Sequence, residues 1–151
     1  MTDPEANLAI ARRITAAFEQ GDDATLRALY APDHVLHKHV HDPLPLPGSD
    51  DQPVLDRYQQ ADANARTDEA DLQVTVEEQI ACGDWVVTIF TSRWRHARRG
   101  TAVVERGISV DRFTNGVVAE SWVSGDRLGL LQQLGAVGPS RELFALADLT
   151  M

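Results

Sequence analysis

The chain has 151 residues, 43% of them hydrophobic, with a formal net charge of −9. This suits one globular domain over 1–151 with its own core, and the negative charge argues against a phosphate-backbone partner, so nucleic acid is not expected. No run is apolar enough to span a bilayer and the opening residues, MTDPEANL, are polar, so a cytoplasmic protein that engages no membrane is expected.

The first helix is predicted over 4–20. Asp3 can cap it, Pro4 suits its first turn, and Ile10, Ile14 and Phe18 line one face. Gly21-Asp22 stops it, and a short second helix follows over 24–30 with Leu26, Leu29 and Tyr30. Residues 34–41 alternate as a short strand: His37, His39 and His41 share one face, Leu36, Lys38 and Val40 the other. The prolines of DPLPLPG, 42–48, forbid regular structure. A third helix is predicted over 51–65, with Val54, Leu55 and Tyr58 turned inward.

From here the pattern changes to strands. Leu72, Val74, Val76 and Ile80 share a face of a strand over 72–81, and Cys82-Gly83-Asp84 turns it into a second strand over 85–95. Cys82, the only cysteine, excludes an internal disulfide and reads as a small buried apolar residue. Arg93, Arg95, Arg98 and Arg99 read as a solvated hairpin tip. The next strand places Val103, Glu105, Gly107, Ser109, Asp111 and Phe113 on one face. Asn115-Gly116 is a strong hairpin signal, returning the chain over 117–123. Asp126 then caps a helix over 127–134, with Gly135 at its C′ position. An amphipathic piece over 141–149 ends the chain. Helices followed by a run of strands give an α+β fold.

Three stretches carry a resemblance. The strand, Asn-Gly turn, Glu120, Trp122 and the run Asp126-x-Leu128-Gly129-Leu130-Leu131-x-Gln133-Leu134-Gly135 resemble the C-terminal signature of the SnoaL-like polyketide cyclases. AAFEQGDDATLRALYAPD is similar to the opening helix pair of their superfamily, named for nuclear transport factor 2, and EEQIACGDWVVT to its strand-Gly-Asp-strand hairpin. The resemblance covers about 6–136, with 137–151 as a C-terminal extension, and implies a cone-shaped α+β barrel whose helices close a curved sheet over a deep pocket. It also implies a small-molecule enzyme without a cofactor, pairing as a homodimer through the outer sheet face.

Two departures bear on mechanism. The family's catalytic histidine and aspartate fall, residue by residue, at Ser109 and Val123, and neither can take a proton from carbon. The loop HARRGT is shorter than the pocket-walling loop of many relatives, and His96 within it reads as structural or solvated.

Other residues must then supply the chemistry. Asp111 follows Ser109 on the same strand face, where an apolar pocket would raise its pKa; alternatively it pairs with an arginine. Glu105 shares that face nearer the rim. His37 and His39 are candidate bases, and with His41 they have the alternation a metal site can use, although no metal is expected. Tyr30, Tyr58, Ser109 and Val123 are read as pocket-lining, and Trp122, in the opposite register to Val123, as packing away. Asp111, Arg112 and Asp126 have the residue types of an epoxide-hydrolase-like set without its spacing. The implied activities are cyclisation or isomerisation of a polyketide-type substrate, hydroxylation of one, or binding alone.

Overall fold

The computed structural model describes residues 3–38 and 69–142. Among these residues the helices α1 (Pro4–Gln20), α2 (Asp23–Leu29) and α3 (Arg127–Gln133) accompany the strands β1 (Tyr30–Lys38), β2 (Glu69–Cys82), β3 (Trp85–His96), β4 (Ala102–Thr114) and β5 (Val117–Gly125). The strands form one sheet in the order β1-β5-β4-β3-β2. Its neighbours are antiparallel except β1, which runs parallel to β5. The architecture is the expected α+β cone, its described strands forming an open sheet. The helix predicted over 51–65, with Tyr58, lies outside the described residues, as do His39, His41 and most of the 141–149 piece.

Local chemistry sets the corners. Asp3 caps α1 by accepting from the Glu5 N–H, Asp22 caps α2 through Thr25, and Asp126 caps α3 through Gly129. Asn115 and Gly116 both adopt positive φ, as a two-residue hairpin turn demands, and join β4 to β5. Two expectations are not met: Tyr30 opens β1 instead of closing α2, since its backbone is already extended there, and an irregularity between Val76 and Glu78 puts Ile80 on the face opposite Val74 and Val76.

Both α1 and α2 bury their apolar faces against one end of the sheet. Ala11, Ile14, Ala17, Leu26 and Leu29 meet Val86, Phe113 and Val118. Buried Asn7 donates to the Gly83 carbonyl at 3.2 Å, and Glu19 accepts from the Val74 N–H at 2.6 Å, tying both ends of α1 to the sheet. At the opposite end β5 leaves β4 at the Gly107–Gly125 pair. The Gln133 amide takes up the exposed edge there, accepting from the Val104 N–H at 2.9 Å and donating to its carbonyl at 2.8 Å. This anchors α3 beside the start of β4.

The two sheet faces differ in kind. Facing the helices are Val86, Thr88, Phe90 and Ser92 of β3, with their β4 partners Asp111, Ser109, Gly107 and Glu105. The other face carries Trp85, Trp122, Ile80, Ile108 and Val104, with Ile80 still 52% exposed. Cys82, paired with Trp85, lies on this side too and is exposed, not buried, because this face is turned away from the helices.

Candidate functional site

The concave face and the first two helices enclose a cavity of about 680 Å³. Its walls are largely apolar: Ile14, Phe18 and Leu26 from the helices, Leu36, Leu72, Val74, Phe90 and Val123 from the sheet. Its polar lining includes Asp23, Arg27 and Glu69, and two further places are marked by carboxyl groups of β4.

The deeper place centres on Asp111, which is only 7% exposed. The Ser121 hydroxyl, on the adjacent strand, donates to Asp111 Oδ1 at 2.6 Å. Burial raises the Asp111 pKa, and the hydroxyls of Ser121 and Ser109 offset only part of that. From β1, His34 Nε2 lies 3.0 Å from Ser121 Oγ. The His34 ring also meets Tyr30 edge-on, centroids 4.7 Å apart. Burial depresses the His34 pKa; the charge of Glu120 opposes this and that of His37 adds to it.

Asp111, Ser121 and His34 therefore form one hydrogen-bonded line with a single hydroxyl in the middle. A hydroxyl has one proton to give. When Asp111 is ionised, Ser121 donates to it and accepts from His34 Nε2–H. When Asp111 holds a proton, the line reverses: Asp111 donates to Ser121 and Ser121 to an unprotonated Nε2. Burial raises the carboxyl and lowers the imidazole, so both shifts favour the neutral forms.

The second place is Glu105, six positions before Asp111 on the same strand face, about 20 Å along the strand. Its carboxyl is mostly buried and 3.4 Å from the Arg127 guanidinium. Burial raises its pKa, Arg127 lowers it, and Asp126 adds a smaller upward push. Gly125 supplies the room: a Cβ there would sit 2.5 Å from Glu105 Oε1.

The expected site residues divide as follows. Asp111, Glu105, Ser109, Tyr30 and Val123 all line the cavity, and Ser109 and Val123 face each other across β4 and β5. Tyr58 and His39 lie outside the described residues. His37 does not reach the cavity, contrary to expectation. It is turned to the outer face, stacked on Trp122 with ring centroids 4.6 Å apart and bonded to Glu120 at 2.7 Å. The alternation of β1 is as read, but its inward face is the one with Tyr30, His34 and Leu36. Arg112 also points outward, onto Glu120, so the Asp111–Arg112–Asp126 set is not assembled. His34 and Ser121 were missed. Their signal was strand parity, since His34 shares a face with Tyr30 and Ser121 with Val123.

With this geometry in place the family question has an answer. A model of the SnoaL-like domain matches residues 11–121. The chain belongs to the SnoaL-like family. Among solved structures it is similar to AclR of Streptomyces galilaeus, provisionally described as a hydroxylase, at 20% identity over 90% of this chain and 100% of that one, TM-score 0.73. It is similar also to IdmH of Streptomyces antibioticus, provisionally described as a polyketide cyclase, at 26% identity over 89% and 99% of the two chains, TM-score 0.66. A Catenulispora acidiphila protein with a ketosteroid isomerase-like fold, solved with trimethylamine, aligns at 16% identity over 91% and 100%, TM-score 0.65. No curated protein matches the chain. No helix among the described residues is long and apolar enough to cross a membrane.

Proposed function

We propose that this SnoaL-like protein is an enzyme that moves a proton at carbon in a polyketide-type or polycyclic substrate, cyclising or isomerising it. The observation that carries this reading is the Asp111–Ser121–His34 line at the buried end of a cavity of small-molecule size. A carboxylate with a raised pKa and neutral partners suits proton abstraction beside a carbonyl. In a cyclisation, the C–H bond breaks toward Asp111 and its electron pair forms the enolate. The enolate carbon attacks a second carbonyl of the same molecule, and the resulting alkoxide takes a proton back from the relay. Apolar walls that hold a flexible chain in one fold lower the entropic part of the barrier. The reading calls for no cofactor.

Tyr30, Ser109 and Val123 are proposed to contact the reacting part of the substrate, and the Glu105–Arg127 corner its other end. A mostly buried carboxyl whose nearest partner is 3.4 Å away retains accepting capacity, which fits a hydroxyl or enol donor on the ligand. The outer face, with Trp85, Ile80, Ile108 and Val104 exposed, is proposed to pair two copies. Ile108→Arg should then turn a dimer into a monomer by light scattering, and a wild-type protein that scatters as a monomer at micromolar concentration would remove the proposal.

Likeness to AclR favours one second reading, hydroxylation of a comparable substrate. Product analysis separates the two. Polyketone precursors are incubated with the protein in the absence and presence of oxygen and a reductant. Products isomeric with the substrate, or differing from it by water, formed without oxygen support cyclisation or isomerisation. A product gaining oxygen only in its presence supports the second reading. Saturable binding with no turnover in either condition makes the protein a binding domain.

A further inference from the structure

We propose that Arg112, Glu120 and His37, on the sheet face turned away from the cavity, are positioning residues that hold His34 in the proton relay. This rests on reading Asp111–Ser121–His34 as that relay, and its test needs no substrate, so either idea can fail alone.

The need for such a device comes from the backbone. Among the described strands β1 lies at the edge of the sheet and pairs with β5 alone. Tyr30 pairs with Val118, but the next pairing is Val35 with Glu120, and the register is irregular between them. His34 falls inside that irregular stretch, where the ladder does not fix it. Its place depends on its own side-chain contacts and on how firmly the regular stretch starting at Val35 is held.

The outer cluster acts on that stretch. Arg112 sits directly across from Glu120 on β4 and donates to its Oε2 through Nε at 2.9 Å and a terminal nitrogen at 2.6 Å. Both donors use the same oxygen, which leaves Oε1 aimed at His37 Nε2, 2.7 Å away. His37 is further fixed by stacking on Trp122, its own pairing partner on β5. His37 to Glu120 on one face and His34 to Ser121 on the other therefore cross the same β1–β5 seam diagonally. The two diagonals run in opposite directions, so sliding β1 along β5 either way breaks one of them.

The relay and the cluster are close enough for their charges to interact, and this supplies the discriminating experiment. The groups concerned are Asp111 on the cavity side and Glu120, His37 and Arg112 on the outer side. The Glu120 charge pushes the His34 pKa up while burial pulls it down. Glu120→Gln removes the charge but keeps hydrogen-bonding capacity, so His34 should stay in place and titrate lower than in the wild type. Glu120→Ala removes the clamp as well; His34 should gain water and titrate higher than in the wild type. Imidazole nitrogen–proton NMR correlations on the full chain, followed against pH, read both. If Glu120→Ala leaves the His34 titration at or below its wild-type position, the cluster acts through its field alone and the proposal is overturned. Should that variant fail to fold, amide exchange in His37→Ala decides: residues 35–37 should exchange at least tenfold faster with β3 and β4 unchanged, and wild-type rates at 35–37 overturn the proposal.

Discussion

Asp111 and Glu105 are two carboxyl groups on one face of one strand, both raised in pKa by burial, and they are provided for in opposite ways. Around Asp111 the partners are hydroxyls, which stabilise a charge without neutralising it. Beside Glu105 there is a guanidinium, and Gly125 leaves the space the carboxyl occupies. The difference assigns work. A buried carboxyl with neutral partners can be ionised or protonated at modest cost and suits proton exchange. One with a cation beside it is held closer to its charged form and suits recognition. Glu120, on the far face with both Arg112 and His37 as donors, extends the series: hydrogen bonds to it lower its pKa, and its role is to hold strands together.

The largest expected effect tests this division directly. Asp111→Asn keeps shape and hydrogen bonding but cannot exchange the proton, and should lower kcat by on the order of 100-fold or more once a substrate is in hand. Glu105→Gln should raise KM while changing kcat by less than about threefold. If Asp111→Asn stays within about tenfold of wild type, roughly 1.4 kcal/mol of barrier, Asp111 is not the general acid or base. Equal losses of kcat in both variants would erase the distinction between the two ends.

A smaller effect should come from His34→Gln. Glutamine can still donate to Ser121 but cannot take up the relayed proton, so kcat should fall by about tenfold to 100-fold, less than for Asp111→Asn. In the double variant with Asp111→Asn the two losses should not add, because the residues act on one proton. Additive losses measured in single-turnover assays would mean that His34 works separately from Asp111.

How far the sequence revealed this site depended on parity. On β4 the alternation from Val103 to Phe113 is unbroken, so identifying one inward residue identified the rest, and Asp111 followed from Ser109. On β1 the same rule gave two faces but not which one looks inward. His37, His39 and His41 alternate there with Leu36, Lys38 and Val40, and nothing in that pattern marks the aliphatic Leu36 side as the inward one. In the structure Leu36 faces the apolar cavity, and His37 takes the outer side, where Trp122 and Glu120 give it a stacking surface and a hydrogen bond. No local pattern announces the irregularity between Tyr30 and Val35, because it is set by pairing with a strand some 90 positions away. The turns were legible for the opposite reason: Asp caps, Gly-Asp corners and Asn-Gly are local chemistry.

At the Glu105 end, Gly125→Ala offers a milder test than removing the carboxyl. The added Cβ must displace Glu105 Oε1, which disturbs its ion pair with Arg127. A ligand bearing a hydroxyl at that end should lose about tenfold in affinity, while an otherwise identical ligand without it should bind nearly unchanged. Isothermal titration with such a pair reads the difference, and equal losses for both would mean the corner shapes the cavity without recognising a donor.

The smallest effect concerns stability and needs no ligand. Asp111 has a folded pKa above its ordinary value of 3.8, chiefly through burial. Between those two values the folded state binds more protons than the unfolded one, so this residue's contribution falls as pH rises through the window and remains unfavourable above it. Asp111→Asn has no charge to desolvate. It should therefore melt higher than the wild type near neutral pH, by a few degrees if the gain is about 1 kcal/mol. The gap should narrow as pH falls through the raised folded value toward 3.8, as the folded wild-type carboxyl takes up its proton. Thermal unfolding of both proteins from pH 4 to pH 8 gives the comparison. An Asn variant that is less stable by the same margin at every pH would show that the hydroxyls around Asp111 fully offset its burial. Its carboxyl would then stay ionised like that of a surface aspartate, and the proton-exchange role would pass from Asp111 to His34.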